Sequence, residues 1–326
     1  MIIFDTMRTL PLGHTGVQVS ALCLGAMNYG TKASGQDSMK MLDRYVEAGG
    51  SFIDTANNYA VWWGGDGGES ERVLGSWMKE RRSRDSIFLA TKVGFNRPDV
   101  GRSLRAKVIK QEIEGSLKRM ATDRIDLYYA HTDQRGDPLE ETLGTFDELR
   151  KAGKIRFVGC SNYRAWRIEQ ARAMSRAHGW AEYCCVQQRH TYLRLAHGAS
   201  FAPQLAVDGE LTDYCTAHAD DFLLLGYSSS LGGAYTGRAD RPIPWQYSGP
   251  DSQARLAALA AVARETGATP VQVVYAWMLQ STPPVLPLVS AGTLQQLDED
   301  LGSLKVTLSR EQMGRLDSAG NPAPLT

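Results

Sequence analysis

Along most of this chain, short apolar runs alternate with longer stretches whose apolar residues recur every three or four positions. The runs are Ala21 to Leu24, Ser51 to Asp54, Ile87 to Thr91, Ile125 to Tyr129, Ile155 to Gly159, Tyr183 to Gln187, Phe222 to Leu225 and Val285 to Val289. They are apolar on consecutive residues, without clean alternation, which suits parallel strands covered on both faces. The longer stretches read as amphipathic helices. Ile109, Ile113, Leu117 and Met120 share one stripe, Leu139, Leu143, Phe146 and Leu149 a second, and Leu256, Leu259 and Val262 a third. Glycine beside a charged residue in Glu47-Ala48-Gly49-Gly50 and Lys151-Ala152-Gly153-Lys154 marks helix stops. Roughly eight strand–helix repeats predict a closed α/β fold, a single (β/α)8 TIM-type barrel. A small β-hairpin over Leu10 to Val19 precedes it. The whole chain, 1–326, reads as one domain, with no internal repeat, low-complexity tract or linker.

An open dinucleotide-binding sheet is the main rival fold. It needs Gly-x-Gly-x-x-Gly after the first strand, and that sequence is absent. Gly64-Gly65-Asp66-Gly67-Gly68 follows Trp62-Trp63 instead of a strand, and reads as a flexible loop before a helix starting near Glu69. Two connections are longer than a tight barrel needs, from Gln188 to about Gln204 and from Ser228 to Pro250. Both follow strands, so both are expected at the C-terminal face, where loops carry ligand contacts.

Composition narrows the partners. Formal net charge is zero, from 36 basic and 36 acidic residues, which gives no electrostatic case for nucleic acid or an anionic membrane. The basic cluster Lys79 to Arg84 reads as a solvated helix end. Five cysteines, Cys23, Cys160, Cys184, Cys185 and Cys215, show no Cys-x-x-Cys spacing and read as buried, reduced thiols of a cytoplasmic protein. The six histidines form no close ligand pair, so no metal is expected. Met1 to Asp5 lacks the features of a signal peptide. The lead Met1 to Thr6 is expected to be disordered, with Met7 an alternative start.

Three apolar runs deliver reactive side chains at their ends. Ser51 to Asp54 ends in Asp54, and Tyr59 follows within a turn. Ile87 to Thr91 delivers Lys92, and Ile125 to Ala130 delivers His131. An acid, a phenol, an amine and an imidazole at the carboxyl ends of separate barrel strands suit proton transfer to a carbonyl oxygen. Taken singly, each has a plainer role: a helix cap, half-buried packing, a solvated charge or a structural histidine.

In order along the chain, several segments resemble the aldo-keto reductase superfamily. They are Phe52 to Ala56 with Tyr59, Gly68 to Glu71 with Leu74-Gly75, Ala90 to Lys92, and Leu117 to Met120 with Asp123 to Tyr128. His131, Gly153 to Arg156 and Gly159 to Asn162 continue the series. The resemblance implies a catalytic tetrad of Asp54, Tyr59, Lys92 and His131. Tyr59 would exchange a proton with the substrate oxygen, Lys92 would favour the phenolate, Asp54 would hold Lys92 charged, and His131 would orient the oxygen.

The resemblance also implies a nicotinamide dinucleotide, NADP or NAD, across the barrel mouth. Ser161, Asn162 and Gln187 match carboxamide-binding positions, and Tyr227 matches the ring that stacks on the nicotinamide. Ser228, Leu231 and Gly232 match a pyrophosphate loop in which relatives often carry proline, and Arg238 either pairs with phosphate or is solvated. Ser290, Gly292, Gln296 and Asp300 match the adenosine end. Many relatives have a basic residue where Gly292 stands and asparagine where Asp300 stands. An arginine fork suits a 2′-phosphate. Its absence, with Glu299 and Asp300 nearby, predicts a weakened NADP preference.

The substrate is expected to be a small carbonyl or alcohol compound, sugar-like or otherwise polyhydroxylated, with an aromatic ketone or aldehyde next. Trp62, Trp63, Arg189, Tyr192 and Arg194 are its candidate contacts, with Trp245 and Tyr247 on the rim. Ordinary rim packing is the alternative for the tryptophans. Two other functions remain open at this stage: a Schiff-base lyase using Lys92, and a non-catalytic nicotinamide-binding regulatory subunit.

Overall fold

The computed structural model describes residues 7–98 and 100–322, so the expectation for Met1 to Thr6 lies outside the described residues. A short antiparallel hairpin, β1 (Thr9–Pro11) and β2 (Gln18–Ser20), comes first. Eight parallel strands then close a barrel: β3 (Cys23–Gly25), β4 (Phe52–Asp54), β5 (Phe88–Val93), β6 (Ile125–Ala130), β7 (Ile155–Ser161), β8 (Tyr183–Arg189), β9 (Leu223–Tyr227) and β10 (Val285–Val289). β10 pairs with both β9 and β3, which completes the ring. The expected barrel and hairpin are therefore present, with strand boundaries shifted by a residue or two.

Helices cover the outside: α1 (Gly35–Glu47), α2 (Glu69–Arg81), α3 (Ala106–Met120), α4 (Leu139–Lys151), α5 (Ala165–His178), α6 (Gly209–Ala217), α7 (Ser252–Thr266), α8 (Pro270–Gln280), α9 (Leu294–Gly302) and α10 (Arg310–Ser318). The three expected stripes lie on α3, α4 and α7. The α3 and α4 stripes are fully buried, whereas Leu256 on α7 is only partly covered.

Side chains alternate across each strand, so residues two apart share a face. Phe52, Phe88, Ala90, Leu127, Tyr129, Cys185, Leu223, Leu225, Leu286 and Leu288 fill the barrel interior, with Leu12 and Val19 of the hairpin region closing its floor. Gly13, with φ of +50°, sits against the Cys184 carbonyl at the point where a Cβ would lie, which lets that turn seat under the barrel. Gly159 leaves room inside for the Tyr129 ring and the Cys185 sulfur. All five cysteines are free and buried.

Polar side chains on the outer face tie α2 to the strands. Thr91 donates to Glu71 at 2.7 Å, Arg119 donates to the other Glu71 oxygen at 2.5 Å, and the Thr55 and Ser70 hydroxyls meet at 2.7 Å. Much of the Gly68 to Glu71 motif is therefore scaffold, holding α2 against β4 and β5.

Candidate active site

The parity that fills the barrel also aims the reactive groups. Phe52 faces inward, so Asp54 does too. Phe88 and Ala90 put Lys92 inward, and Leu127 and Tyr129 put His131 on the same line. Cys185 does the same for Gln187, and Leu223 and Leu225 for Tyr227. The register aligns Asp54 with Ala90 and Lys92 with Tyr129, so Asp54, Lys92 and His131 step toward the C-terminal mouth above the apolar interior.

Tyr59 reaches these groups from the loop after β4. The chain doubles back there, and Ala60 takes a φ of +86°. Lys92 donates to the Tyr59 hydroxyl at 2.8 Å, to the Thr55 carbonyl at 2.7 Å and to Asp54 in a short ion pair. The second Asp54 oxygen accepts from the Gln187 amide at 2.9 Å. Lys92 and Asp54 are completely buried, and Tyr59 is 8% exposed. The His131 and Tyr59 rings lie 6.1 Å apart, edge to face, and the Phe95 ring is 5.0 Å from His131. All four predicted catalytic side chains thus converge.

Electrostatics modifies one expectation. Burial raises the Tyr59 phenol and Lys92 pulls it back, leaving it pushed up to about 12. The cation acts in the expected direction but is outweighed by desolvation. Burial pulls Lys92 down, but Asp54 and Tyr59 together hold it above the usual amine value, so it stays charged. Burial, and then Lys92, drive His131 well below the usual imidazole range, so the ring is neutral. Its Nδ1 is buried without a partner.

The residues matched to the nicotinamide surround this cluster, and most have capacity to spare. The Gln187 amide nitrogen holds Asp54, leaving its carbonyl oxygen as an acceptor. Ser161 accepts from Asn162 at 3.1 Å and keeps its own hydrogen to donate. Asn162 is different. Its nitrogen donates to the His131 carbonyl (2.9 Å) and to Ser161, and its oxygen accepts from the Leu205 amide (3.0 Å) and the Tyr227 hydroxyl (2.8 Å). Its hydrogen-bonding capacity is used up in bracing the site.

After Tyr227, Ser228 and Leu231 have positive φ, and Gly232 and Gly233 continue the turn with φ of 66° and 91°. Ser230 is right-handed and Leu231 left-handed. The Leu231 and Gly233 amides donate to the Ser228 and Ser230 carbonyls, both at 3.0 Å, so the segment closes as two successive turns with those donors occupied. Arg238 instead points outward and pairs with Asp240 at 2.9 and 2.7 Å.

At the adenosine end, the Gly292 amide donates to Gln296 at 2.8 Å, and Asn28 donates weakly to Ser290 at 3.4 Å. Asp300 is buried, and burial, reinforced by Glu299, raises its carboxyl well above the usual value. The repulsion expected of Asp300 is correspondingly reduced.

The candidate substrate residues divide into two groups. Trp62 is half-exposed and 5.8 Å from the Tyr59 ring, and Trp63 packs on Trp62 at 5.4 Å with Lys32 over its face. Arg189, Tyr192 and Arg194 line a separate cavity that also includes Tyr247 and contains no tetrad residue. Trp245 projects into solvent at 69% exposure. Phe95 was not anticipated from sequence. Its position just past β5 was the available signal.

A buried, hydrogen-bonded Asp–Lys–Tyr cluster beside a neutral histidine, at the C-terminal mouth of a parallel barrel, fits a class of carbonyl oxidoreductase. Residues 21–321 match the Aldo/keto reductase family, and the chain belongs to that family. It is an NAD(P)H-dependent oxidoreductase. It is 28% identical to the uncharacterized oxidoreductase YrpG of Bacillus subtilis, covering 94% of each chain. It is 30% identical to the norsolorinic acid reductase stcV of Emericella nidulans, over 93% of this chain and 78% of that one. It is 28% identical to protein tas of Escherichia coli, over 95% and 98% respectively.

Proposed function

We propose that this enzyme interconverts a carbonyl and an alcohol with Tyr59 as the general acid and base. The observation that carries this reading is the contact from Lys92 to the Tyr59 hydroxyl, shut away from water and backed by Asp54. The nicotinamide dinucleotide, when bound, supplies or accepts the hydride. Ser161 and Gln187 would hold its carboxamide and the turn from Ser228 to Gly232 its pyrophosphate, while Asn162 braces Tyr227 and His131. His131, being neutral, donates a hydrogen bond that orients the substrate oxygen. Tyr59 then delivers its proton to that oxygen, and Lys92 stabilises the phenolate left behind.

A charged, ion-paired Lys92 opposes the Schiff-base alternative, which needs a depressed amine pKa. Trp62, Trp63 and Phe95 flank the tetrad and support a substrate with a flat or ring-shaped body, sugar-like or aromatic. Similarity to proteins named norsolorinic acid reductase is compatible with a reductive direction. The cofactor preference is proposed to lean away from NADP, because Gly292 offers no cation to a 2′-phosphate.

A carbonyl panel assayed with NADH and with NADPH, alongside Tyr59→Phe, tests the reading. Turnover by the native enzyme and its near loss in the variant is the expected result. Equal turnover in both proteins would remove Tyr59 from the role.

A further inference from the structure

The cavity lined by Arg189 and Arg255 has a volume of about 600 Å³. It lies beneath the long connection between β8 and α6, and α7, α8 and α10 contribute to its wall. Its size falls within the range of small-molecule pockets, about 300 to 1,000 Å³. None of Asp54, Tyr59, Lys92 or His131 reaches it. Tyr227 stands between the two sites, with its hydroxyl on Asn162 and its ring 5.6 Å from the Arg189 guanidinium.

The charges around this cavity are unevenly satisfied. Arg164 pairs with Asp208 at 3.1 Å, Arg194 with Asp251 at 3.4 Å, and Asp317 accepts from the Trp277 indole at 2.7 Å. That leaves Arg189 and Arg255. Arg189 donates to neutral groups, the Gln204 amide oxygen at 2.8 Å and the Tyr227 and Tyr247 hydroxyls, and its Nε is buried without a partner. Arg255 is 3% exposed and donates to two backbone carbonyls, Tyr192 at 2.9 Å and Ala319 at 3.2 Å. Among the described residues, neither arginine has a carboxylate in ion-pair range.

Burying a guanidinium without a counter-charge is costly, and burial accordingly lowers the Arg255 pKa. An incoming anion would offset that cost. Both arginines are also held rigidly, Arg189 against the Phe201 ring at 3.9 Å and Arg255 against the Tyr192 ring at 4.1 Å. A fixed guanidinium fork suits a carboxylate. The remaining walls include Phe201 and Tyr247, whose rings are 5.5 Å apart, and Trp277. His190 stacks on Trp277, and burial pushes it down to about 4, so it is neutral near pH 7.

We propose that this cavity is a second ligand site, separate from the carbonyl site, that takes a small aromatic carboxylate. Arg189 and Arg255 hold the carboxylate, and the ring lies among Phe201, Tyr247 and Trp277. The proposal does not depend on which group protonates the substrate.

Calorimetric titration with 2-naphthoate tests it, with 2-naphthalenemethanol as the uncharged comparison. The acid should bind at one site per chain, at least tenfold more tightly than the alcohol, with or without saturating NADPH. Arg189→Gln should weaken the acid at least tenfold, and Tyr59→Phe should leave its binding unchanged. Thr212→Trp, which adds bulk at the cavity edge without touching either arginine, should also weaken it and serves if Arg189→Gln does not fold. Equal binding of acid and alcohol would overturn the proposal. So would loss of binding under NADPH, loss in Tyr59→Phe, or undiminished binding in the cavity variants.

Discussion

Lys92 donates to the Tyr59 hydroxyl at 2.8 Å while ion-paired to Asp54, and the ammonium and carboxylate have no contact with water. The phenol therefore has a fixed positive charge beside it at the C-terminal end of the barrel. Removing the hydroxyl while keeping the ring should lower kcat by about 10²- to 10⁴-fold, the usual scale of acid–base assistance. The Kd for NADPH in Tyr59→Phe should stay within about twofold of the native value, because only a transition-state interaction has been lost. Fluorescence titration and steady-state kinetics on the same preparation separate the two effects.

The phenol's raised pKa gives the two directions different pH profiles. With Tyr59 pushed up to about 12, it is protonated at neutral pH, the form that carbonyl reduction needs. His131 is neutral over the same range. Reduction should therefore be nearly flat between about pH 6 and pH 9. Alcohol oxidation needs the phenolate and should climb roughly tenfold per pH unit over the same range. A reduction rate that falls through an apparent pKa near 7 would mean that one of these groups titrates far from where its surroundings hold it.

The Asp54–Lys92 pair also contributes to stability. Asp54→Asn leaves a fully buried ammonium without a counter-charge, which should cost about 3–5 kcal/mol of unfolding free energy. Adding Lys92→Met should recover part of that loss, because the stranded charge is gone. Urea denaturation of the native protein, the single variant and the double variant checks this. A double variant less stable than Asp54→Asn would show that packing, and not the uncompensated charge, sets the cost.

The parts of the site that were legible in the sequence follow from strand periodicity. Phe52 and Asp54, Ala90 and Lys92, and Tyr129 and His131 are each two residues apart, so a strand that buries the first aims the second inward. Other features depend on contacts between distant segments. Asn162 matches a cofactor-binding motif, yet Leu205 and Tyr227 occupy its oxygen because the long β8–α6 connection folds back over it. Arg189 is the last residue of β8, where Gln204 and Phe201 hold it beside a different cavity. Asp300 reads as a charge in the sequence, whereas its burial on the covered face of α9 favours its neutral form. Local pattern fixes the direction of a strand residue, but the neighbours brought in by loops decide its charge and its free hydrogen bonds.

Gly292 makes the cofactor preference testable by gain instead of loss. Its φ is not left-handed, and a Cβ there would approach only the Gln296 amide oxygen, at 3.3 Å, the end of a flexible side chain. Gly292→Arg should therefore fold normally while displacing the Gln296 contact to the backbone. If the adenosine ribose lies against this corner, the new guanidinium meets a 2′-phosphate, and a hydrogen bond to a charged group contributes about 1.5–3 kcal/mol. NADPH affinity should then rise at least tenfold relative to NADH. Because burial disfavours the charged form of Asp300, Asp300→Asn should shift that ratio much less. An unchanged ratio in Gly292→Arg would place the ribose elsewhere and undo the assignment of this loop.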